Sequence, residues 1–176
     1  KKHSIRHAII SESSARKIYL FDKPGAIQSL IVAGQLLPAN GTDDEVDIDL
    51  MNRVIGGSFN SRLNMNLRED KGFTYGSYSS ASTSRYKGSF TATASVRNEV
   101  TDSAITEIIK EINLISPEGI TDEELDAAKE KYVGSFTMST EQPSTIANFA
   151  TNIAKFNLPE NFYEKYLENF QSVSTE

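Results

Sequence analysis

The chain has 176 residues, of which 38% are hydrophobic and 24% are charged, and its formal net charge is −6. This is enough apolar material for one domain with a packed core, and it disfavours two independent domains. Periodic apolar residues exclude global disorder, and no apolar run approaches the roughly 18 residues that a membrane helix needs. The absence of cysteine excludes a disulfide scaffold, a thiolate zinc site and a cysteine nucleophile. Composition alone indicates no compartment.

Charge divides unevenly along the chain. Residues 1–98 carry 13 basic and 9 acidic side chains, whereas residues 99–176 carry 5 basic and 15 acidic ones. The acidic second part disfavours nucleic acid as a partner. It is typical of solvated helical faces, with an acidic surface for a basic substrate as the alternative.

The domain boundaries follow from the patterning at the two ends. Residues 1–15 are polar and weakly patterned, and we interpret them as a linker or the edge of a longer chain. Residues 16–176 are then a single domain. The final triplet Ser174-Thr175-Glu176 resembles a helix cap without its helix, so we expect this domain to be part of a larger protein.

The domain is expected to begin with two strands and two helices. The apolar run Ile18–Phe21 predicts a short strand, and a Pro-Gly turn then leads to a second strand from Ile27 to Ala33. Thr42–Glu45 has the pattern of a capping box, which predicts a helix that ends at Gly56. A shorter helix is predicted between Ser58 and Gly72. Its apolar residues recur every four positions: Phe59, Leu63 and Leu67.

A hairpin and four helices complete the prediction. Phe73–Ser84 predicts a strand, Arg85–Gly88 a turn, and the next segment alternates apolar and polar residues as a half-buried strand does. The last 76 residues predict four helices, and the second of them starts with a capping box at Thr121–Glu124. Grouped strands followed by grouped helices indicate an α+β fold, a mainly antiparallel sheet packed on one face by helices.

The segment from Gly56 to Gly76 carries the most specific pattern. It reads G-G-S-F-x-S-R-L, then L-R-E-x-K-G, then T-Y-G. Arg68 is expected near a helix end and Tyr75 on the following strand, with a turn at Gly72 that can bring both to one surface. A guanidinium and a phenol are hydrogen-bond donors suited to peptide carbonyls or a developing oxyanion. The alternative is that Arg68 complements the helix dipole and Tyr75 only packs.

The same segment resembles the C-terminal-type domain of the pitrilysin (insulinase) zinc metallopeptidases, an inverzincin family that includes the mitochondrial processing peptidase. The strand start K-I-Y-L-F-D-K-P-G-A-x-Q-S and the helix start G-I-T-D-E-E-L-D-A-A-K add to the resemblance, which covers residues 16–176. It implies a LuxS/processing-peptidase-like fold. In combination these motifs are specific, whereas any one of them alone would be weak.

The resemblance also implies a division of labour. Such proteases form a chamber from two similar halves, and one half carries the zinc motif H-x-x-E-H with a further Glu ligand. The other half contributes an Arg and a Tyr, seven residues apart, that hold the substrate backbone and assist at the scissile carbonyl. By resemblance, Arg68 would bind a peptide substrate, and Tyr75 would both bind it and assist catalysis. The partner would be the zinc-bearing half, on the same chain or on another subunit.

The chain itself is not expected to bind zinc or any other cofactor. Its two histidines, His3 and His7, have the spacing of the zinc motif, but Arg6 replaces the Glu that would activate water. We therefore expect the chain alone to be inactive.

The other candidates are weaker. Arg62 is interpreted as a structural residue that caps the helix or pairs with Glu69 or Asp70, and Tyr78 and Tyr86 as core or rim aromatics. Two functions remain open: a substrate-binding, catalysis-assisting domain of a zinc metalloendopeptidase, or a non-catalytic structural and assembly module of the same fold.

Overall fold

The computed structural model describes residues 15–38, 44–82 and 87–175. In chain order, its elements are β1 (Gln28–Leu37), α1 (Glu45–Ile55), α2 (Arg62–Asn64), a π-helix (Met65–Asp70), β2 (Thr74–Ser82), β3 (Gly88–Arg97), a 3₁₀ turn (Asn98–Val100), α3 (Thr101–Glu118), α4 (Asp122–Thr140), α5 (Pro143–Phe156) and α6 (Phe162–Ser172). None of the helices in these ranges is long and apolar enough to cross a membrane.

The three strands form an antiparallel sheet in the order β1-β3-β2. The inner face of β3 is apolar at every second residue, as the alternation predicted, and α1, α2, the π-helix and α3 pack against this face. The fully buried members of this core include Leu63, Leu67, Ala92, Val96 and Ile108. The predicted α+β fold is therefore confirmed.

A second, smaller core joins the helices to one another. Leu50 of α1, Leu125 of α4 and Phe170 of α6 are buried together, with Tyr132 and Tyr166 packed around them. Helix α1 contributes to both cores, so it links the sheet to the C-terminal helices. The four predicted C-terminal helices are all present.

The predicted strand at Ile18–Phe21 is wrong. These four residues form no strand, and their side chains are between 73% and 91% exposed. A run of apolar residues favours an extended, buried conformation but does not supply a neighbouring strand. In the described ranges, β1 is an edge strand with no partner on this side. β1 also runs further than predicted, to Leu37.

Helix starts were predicted with mixed success. The capping box at Thr121 is confirmed, because its hydroxyl accepts from the Glu124 N–H at 3.2 Å and the Glu124 carboxylate accepts from the Thr121 N–H at 3.0 Å. Helix α1 instead starts at Glu45, with Asp44 at the N-cap and no side-chain cap bond. Thr42 and the hairpin-turn residues Arg85 and Tyr86 lie outside the described residues.

Candidate functional site

Arg68 lies on the π-helix rather than on an ordinary helix end. The wider turn of the π-helix is seen in a backbone hydrogen bond that spans five residues. The Lys71 N–H donates to the Asn66 carbonyl at 3.0 Å. Such segments are rare and are often found at functional sites. The apolar spacing does not indicate a π-helix, because Leu63 and Leu67 are both buried as a regular helix would also require.

The Arg68 guanidinium lies over an aromatic ring. Its Cζ atom is 4.7 Å from the centroid of the Phe59 ring, and its Nε is 3.4 Å from the Glu69 carboxylate. Phe59 is half exposed and does not continue the buried stripe of Leu63, contrary to the predicted spacing. Within the described ranges, the two terminal nitrogens of Arg68 have no hydrogen-bond partner, and the side chain is 36% exposed. They are available as donors to a bound molecule.

Tyr75 stands at an irregularity in the sheet. Thr74 pairs with Val96 and Ser77 with Ala94, so Tyr75 and Gly76 together face the single residue Ser95. This bulge lets β2 turn a side chain away from the regular alternation. Tyr75 is 91% exposed, and its hydroxyl makes no hydrogen bond with any described residue. The phenol is therefore free to donate to a ligand.

The backbone on both sides of Tyr75 is tied down. The Thr74 hydroxyl lies 2.7 Å from the Ser95 carbonyl oxygen, and it accepts from the Gly76 N–H at 3.2 Å. On the other side, the Ser77 N–H donates to the Asn64 side-chain carbonyl at 3.2 Å. A Cβ at Gly76 would lie 2.8 Å from the far end of the half-exposed Tyr78 side chain, which would have to move.

Asn64 was not among the predicted site residues. It is fully buried, and its amide nitrogen donates to the Phe59 carbonyl at 2.7 Å while its oxygen accepts from Ser77. A signal was present in the sequence, since an asparagine directly after Leu63 falls on the inward side of an apolar stripe. A polar residue at such a position must have specific partners.

Strand β2 is also anchored on α1 by backbone contact. The Ser79 N–H donates to the Gly56 carbonyl at 2.9 Å, and the Ser79 hydroxyl lies 2.8 Å from the Asn52 side-chain oxygen. A Cβ at Gly56 would be 2.4 Å from the Ser79 nitrogen. Only glycine allows this approach.

Arg62 holds α2 to the start of α4. Its guanidinium donates to both Glu124 oxygens at 2.6 Å and to the Gly119 carbonyl at 2.9 Å. The expected partners Glu69 and Asp70 were wrong. These hydrogen bonds are the main reason that the pKa of the Glu124 carboxyl lies below its ordinary value.

A polar cluster underlies the second core. The Tyr166 hydroxyl donates to the Asp49 carboxylate at 3.2 Å, and Arg53 binds the same carboxylate at 3.2 Å while lying 4.4 Å from the centroid of the Tyr132 ring. Burial, followed by the nearby Asp49 charge, raises the pKa of Tyr132 to about 12 and also raises the pKa of Tyr166.

A small cavity of about 80 Å³ lies between α1 and α4. Arg53 and Lys131 line it, together with Glu124, which Arg62 already holds. Neither Arg68 nor Tyr75 lines this cavity. The two predicted site residues thus offer their donors from open surface.

A sequence profile of the family described as "Peptidase M16 inactive domain" matches residues 4–132. The chain belongs to this family. The resemblance recognised in the Arg68 and Tyr75 motifs is therefore confirmed at the family level.

Individual relatives agree with this assignment. The chain is 32% identical over 99 residues to "Uncharacterized zinc protease YmxG" of Bacillus subtilis, covering 56% of this chain and 24% of that protein. It is 27% identical over 121 residues to "Non-peptidase homolog YmxG" of Helicobacter pylori, covering 69% of this chain and 28% of that protein. This M16 domain thus spans about a quarter of the length of the curated relatives it matches.

A solved structure shows the same architecture. The crystal structure of a peptidase M16 inactive domain from Pseudomonas fluorescens superposes with a TM-score of 0.77 at 28% sequence identity. The match covers 84% of this chain and 35% of that one. Over the described part of the chain, the arrangement of α1 to α6 and an antiparallel sheet is that of M16 inactive domains.

The described residues do not fit a zinc site. Residues 15–38, 44–82 and 87–175 contain no group of three or more His, Cys, Asp or Glu side chains that could hold a metal ion. His3 and His7 lie outside these ranges.

Proposed function

We propose that this M16 domain binds peptide substrate and assists catalysis in a zinc metalloendopeptidase whose metal site lies in a partner half. The observation that carries the proposal is the pair of unpartnered donors, the terminal nitrogens of Arg68 and the hydroxyl of Tyr75, on the motif that relates the chain to M16 proteins. In the described ranges neither group is used by the fold. The pairing with a zinc-bearing half is supported by membership of the M16 family and by the relative that is named a zinc protease.

Arg68 would hold a carbonyl oxygen of the extended substrate backbone. Its guanidinium is always charged and planar, and it contacts the Phe59 ring without using its donors. A charged donor forms a stronger hydrogen bond with a carbonyl than a neutral one does. Arg68 is therefore the group expected to set substrate affinity.

Tyr75 would donate its hydroxyl hydrogen bond to the substrate or to the tetrahedral intermediate. A donor placed where negative charge develops lowers the barrier more than it strengthens substrate binding. The bulge that exposes Tyr75 and the bonds that hold its neighbours supply the fixed geometry that such a donor needs.

The test is peptide turnover by the full-length protein with its zinc-bearing half. Tyr75→Phe removes only the hydroxyl, and we expect kcat to fall roughly 10- to 1000-fold. The matched control is Tyr78→Phe, the neighbouring tyrosine on β2, which should leave kcat unchanged. The isolated domain should show no chelator-sensitive hydrolysis; if it does, the division between the two halves is wrong.

The second candidate is a non-catalytic assembly module. It is favoured by the description of the family as inactive domains and by the Helicobacter relative whose name calls it a non-peptidase. An unchanged rate in Tyr75→Phe would support this alternative. In that case the domain should be required for the assembly of the full protein and not for its chemistry.

A further inference from the structure

Asn64 connects the two parts of the candidate site through one buried side chain. Its amide nitrogen donates to the Phe59 carbonyl at 2.7 Å, and its oxygen accepts from the Ser77 N–H at 3.2 Å. Both Asn64 and Ser77 are fully buried. A buried amide is tolerated only when its polar groups are satisfied, and here the donor and the acceptor serve two different segments.

The first segment leads to Arg68. Phe59 lies in the loop before α2, and its ring lies beneath the Arg68 guanidinium, 4.7 Å from Cζ to the ring centroid. The hydrogen bond from Asn64 fixes the backbone of Phe59, and so it fixes the point from which the Phe59 side chain extends. Among the residues that the structure describes, Arg68 has no buried partner, since its ion pair with Glu69 is on the surface. The Phe59 ring is therefore the main constraint on the guanidinium.

The second segment leads to Tyr75. The Tyr75 side chain is exposed and unpartnered within the described ranges, and Gly76 has no side chain to anchor. The direction of Tyr75 is thus decided by the residues that flank the bulge, Thr74 and Ser77. Thr74 is held by the neighbouring strand, and Ser77 is held from two sides, by the Thr93 carbonyl of β3 that accepts from its hydroxyl at 3.2 Å and by Asn64 that accepts from its N–H.

We infer that Asn64 is a positioning residue that fixes Arg68 and Tyr75 relative to each other. Among the described residues its side chain makes no hydrogen bond with either of them, and its burial keeps it from substrate. Asn64 is the last residue of α2 and directly precedes the π-helix, where its side chain makes no cap hydrogen bond, and its two bonds cross from this helical segment to a loop and to a strand. This inference rests on the proposed function of the Arg68 and Tyr75 pair.

A double-mutant cycle in the full-length protein tests the inference, with dye-quenched casein as the turnover probe. Asn64→Leu keeps a similar shape and removes both hydrogen bonds, and it is made alone and with Tyr75→Phe. We expect Asn64→Leu to lower kcat at least 10-fold alone and less than 2-fold in the Tyr75→Phe background. Asn64→Leu misplaces the Tyr75 hydroxyl and Tyr75→Phe removes it, so both variants lose the same hydrogen bond to the substrate or intermediate. Asn64→Ala also removes both hydrogen bonds, and it replaces Asn64→Leu in the cycle and in the exchange measurement if the latter does not fold.

Two controls separate positioning from general destabilisation. Ile108→Val loosens the sheet core and should change kcat by the same small factor in both backgrounds, at a temperature well below unfolding. Hydrogen exchange of the Ser77 amide should accelerate in Asn64→Leu and stay slow in Ile108→Val. This second readout does not depend on turnover.

The outcomes are distinguishable. If Asn64→Leu lowers kcat by the same factor in both backgrounds, or if the Ser77 amide stays protected, Asn64 is only structural and the inference is wrong. If Tyr75→Phe alone leaves kcat unchanged, the proposed function fails first, and the inference falls with it.

Discussion

Arg62 and Glu124 are 62 residues apart in the chain, yet they are joined by two hydrogen bonds of 2.6 Å each. The Arg62–Glu124 pair holds α2 to the first turn of α4. Helix α2 directly precedes the π-helix that carries Arg68. Glu124 also completes the capping box with Thr121, so one carboxylate serves a local and a long-range role. The position of the candidate site therefore depends on the C-terminal helices as well as on the sheet.

This ion pair predicts a pH-dependent stability. The pKa of Glu124 is below its ordinary value of 4.5, so in acid the unfolded chain takes up a proton before the folded chain does. The stabilisation is complete above about pH 4.5 and is lost as the pH falls through the lower, folded pKa. Arg62→Met should cost about 1–2 kcal/mol at pH 7, with partial exposure limiting the effect.

Thermal unfolding of wild type and Arg62→Met at pH 7 and pH 3 checks this prediction. The difference in Tm should be clear at pH 7 and should shrink at pH 3, because below pH 4.5 the unfolded chain has taken up the proton that the ion pair with Arg62 disfavours in the folded chain. A difference that is equal at both pH values would show that Arg62 acts by packing and not through Glu124.

The phenols of the second core predict an alkaline effect. Because burial raises the pKa of Tyr132 to about 12, the unfolded chain releases this proton near pH 10 while the folded chain keeps it. Stability should therefore fall as the pH rises from 10 to 12. Absorbance of tyrosinate at alkaline pH should show at least one phenol that ionises only near pH 12 or on unfolding. Titration of all seven tyrosines near pH 10 in the folded protein would contradict the buried cluster.

Substitutions of Gly56 and Gly134 by alanine should change the free energy of unfolding in opposite directions, because only Gly56 is in close contact with Ser79. Gly56→Ala forces a Cβ to 2.4 Å from a backbone nitrogen, and we expect a loss of about 2–3 kcal/mol in the free energy of unfolding. Gly134→Ala in α4 meets no atom within 4 Å and should gain about 0.5–1 kcal/mol through helix propensity.

Denaturant unfolding of both glycine variants checks this prediction. Equal effects of the two substitutions would mean that β2 does not approach α1 as closely as described.

The ring beneath Arg68 predicts a specific effect on substrate affinity. Phe59→Leu keeps an apolar side chain but removes the cation–π contact, whose loss should raise KM about 2- to 5-fold with little change in kcat. Steady-state peptide hydrolysis by the full-length protein measures both constants. A fall in kcat without a change in KM would show that Phe59 supports the chemistry and not the binding by Arg68.

Local patterns were sufficient to predict much of this fold. The alternation in β3 and the capping box at Thr121 depend on neighbours within a few residues, and both were found. The strand at Ile18–Phe21 failed because apolar character does not identify a partner strand. The partner of Arg62 failed for a similar reason, since local spacing offers Glu69 and Asp70 but not a residue 62 positions away.

The candidate site, too, was predicted in part. Arg68 and Tyr75 were proposed from their motif, and both are accessible. The π-helix and the bulge that present them are backbone hydrogen-bond patterns, and each lies in a segment too short for the side-chain periodicity to show one added residue. Asn64 was missed because its two partners lie on different segments.

The most direct measurement for the central claim is a crystal structure of the full-length protein with a bound peptide that it hydrolyses slowly. We expect the Arg68 guanidinium and the Tyr75 hydroxyl within about 3 Å of main-chain oxygens of that peptide. A peptide bound elsewhere, or one bound here with both groups turned away, would contradict it.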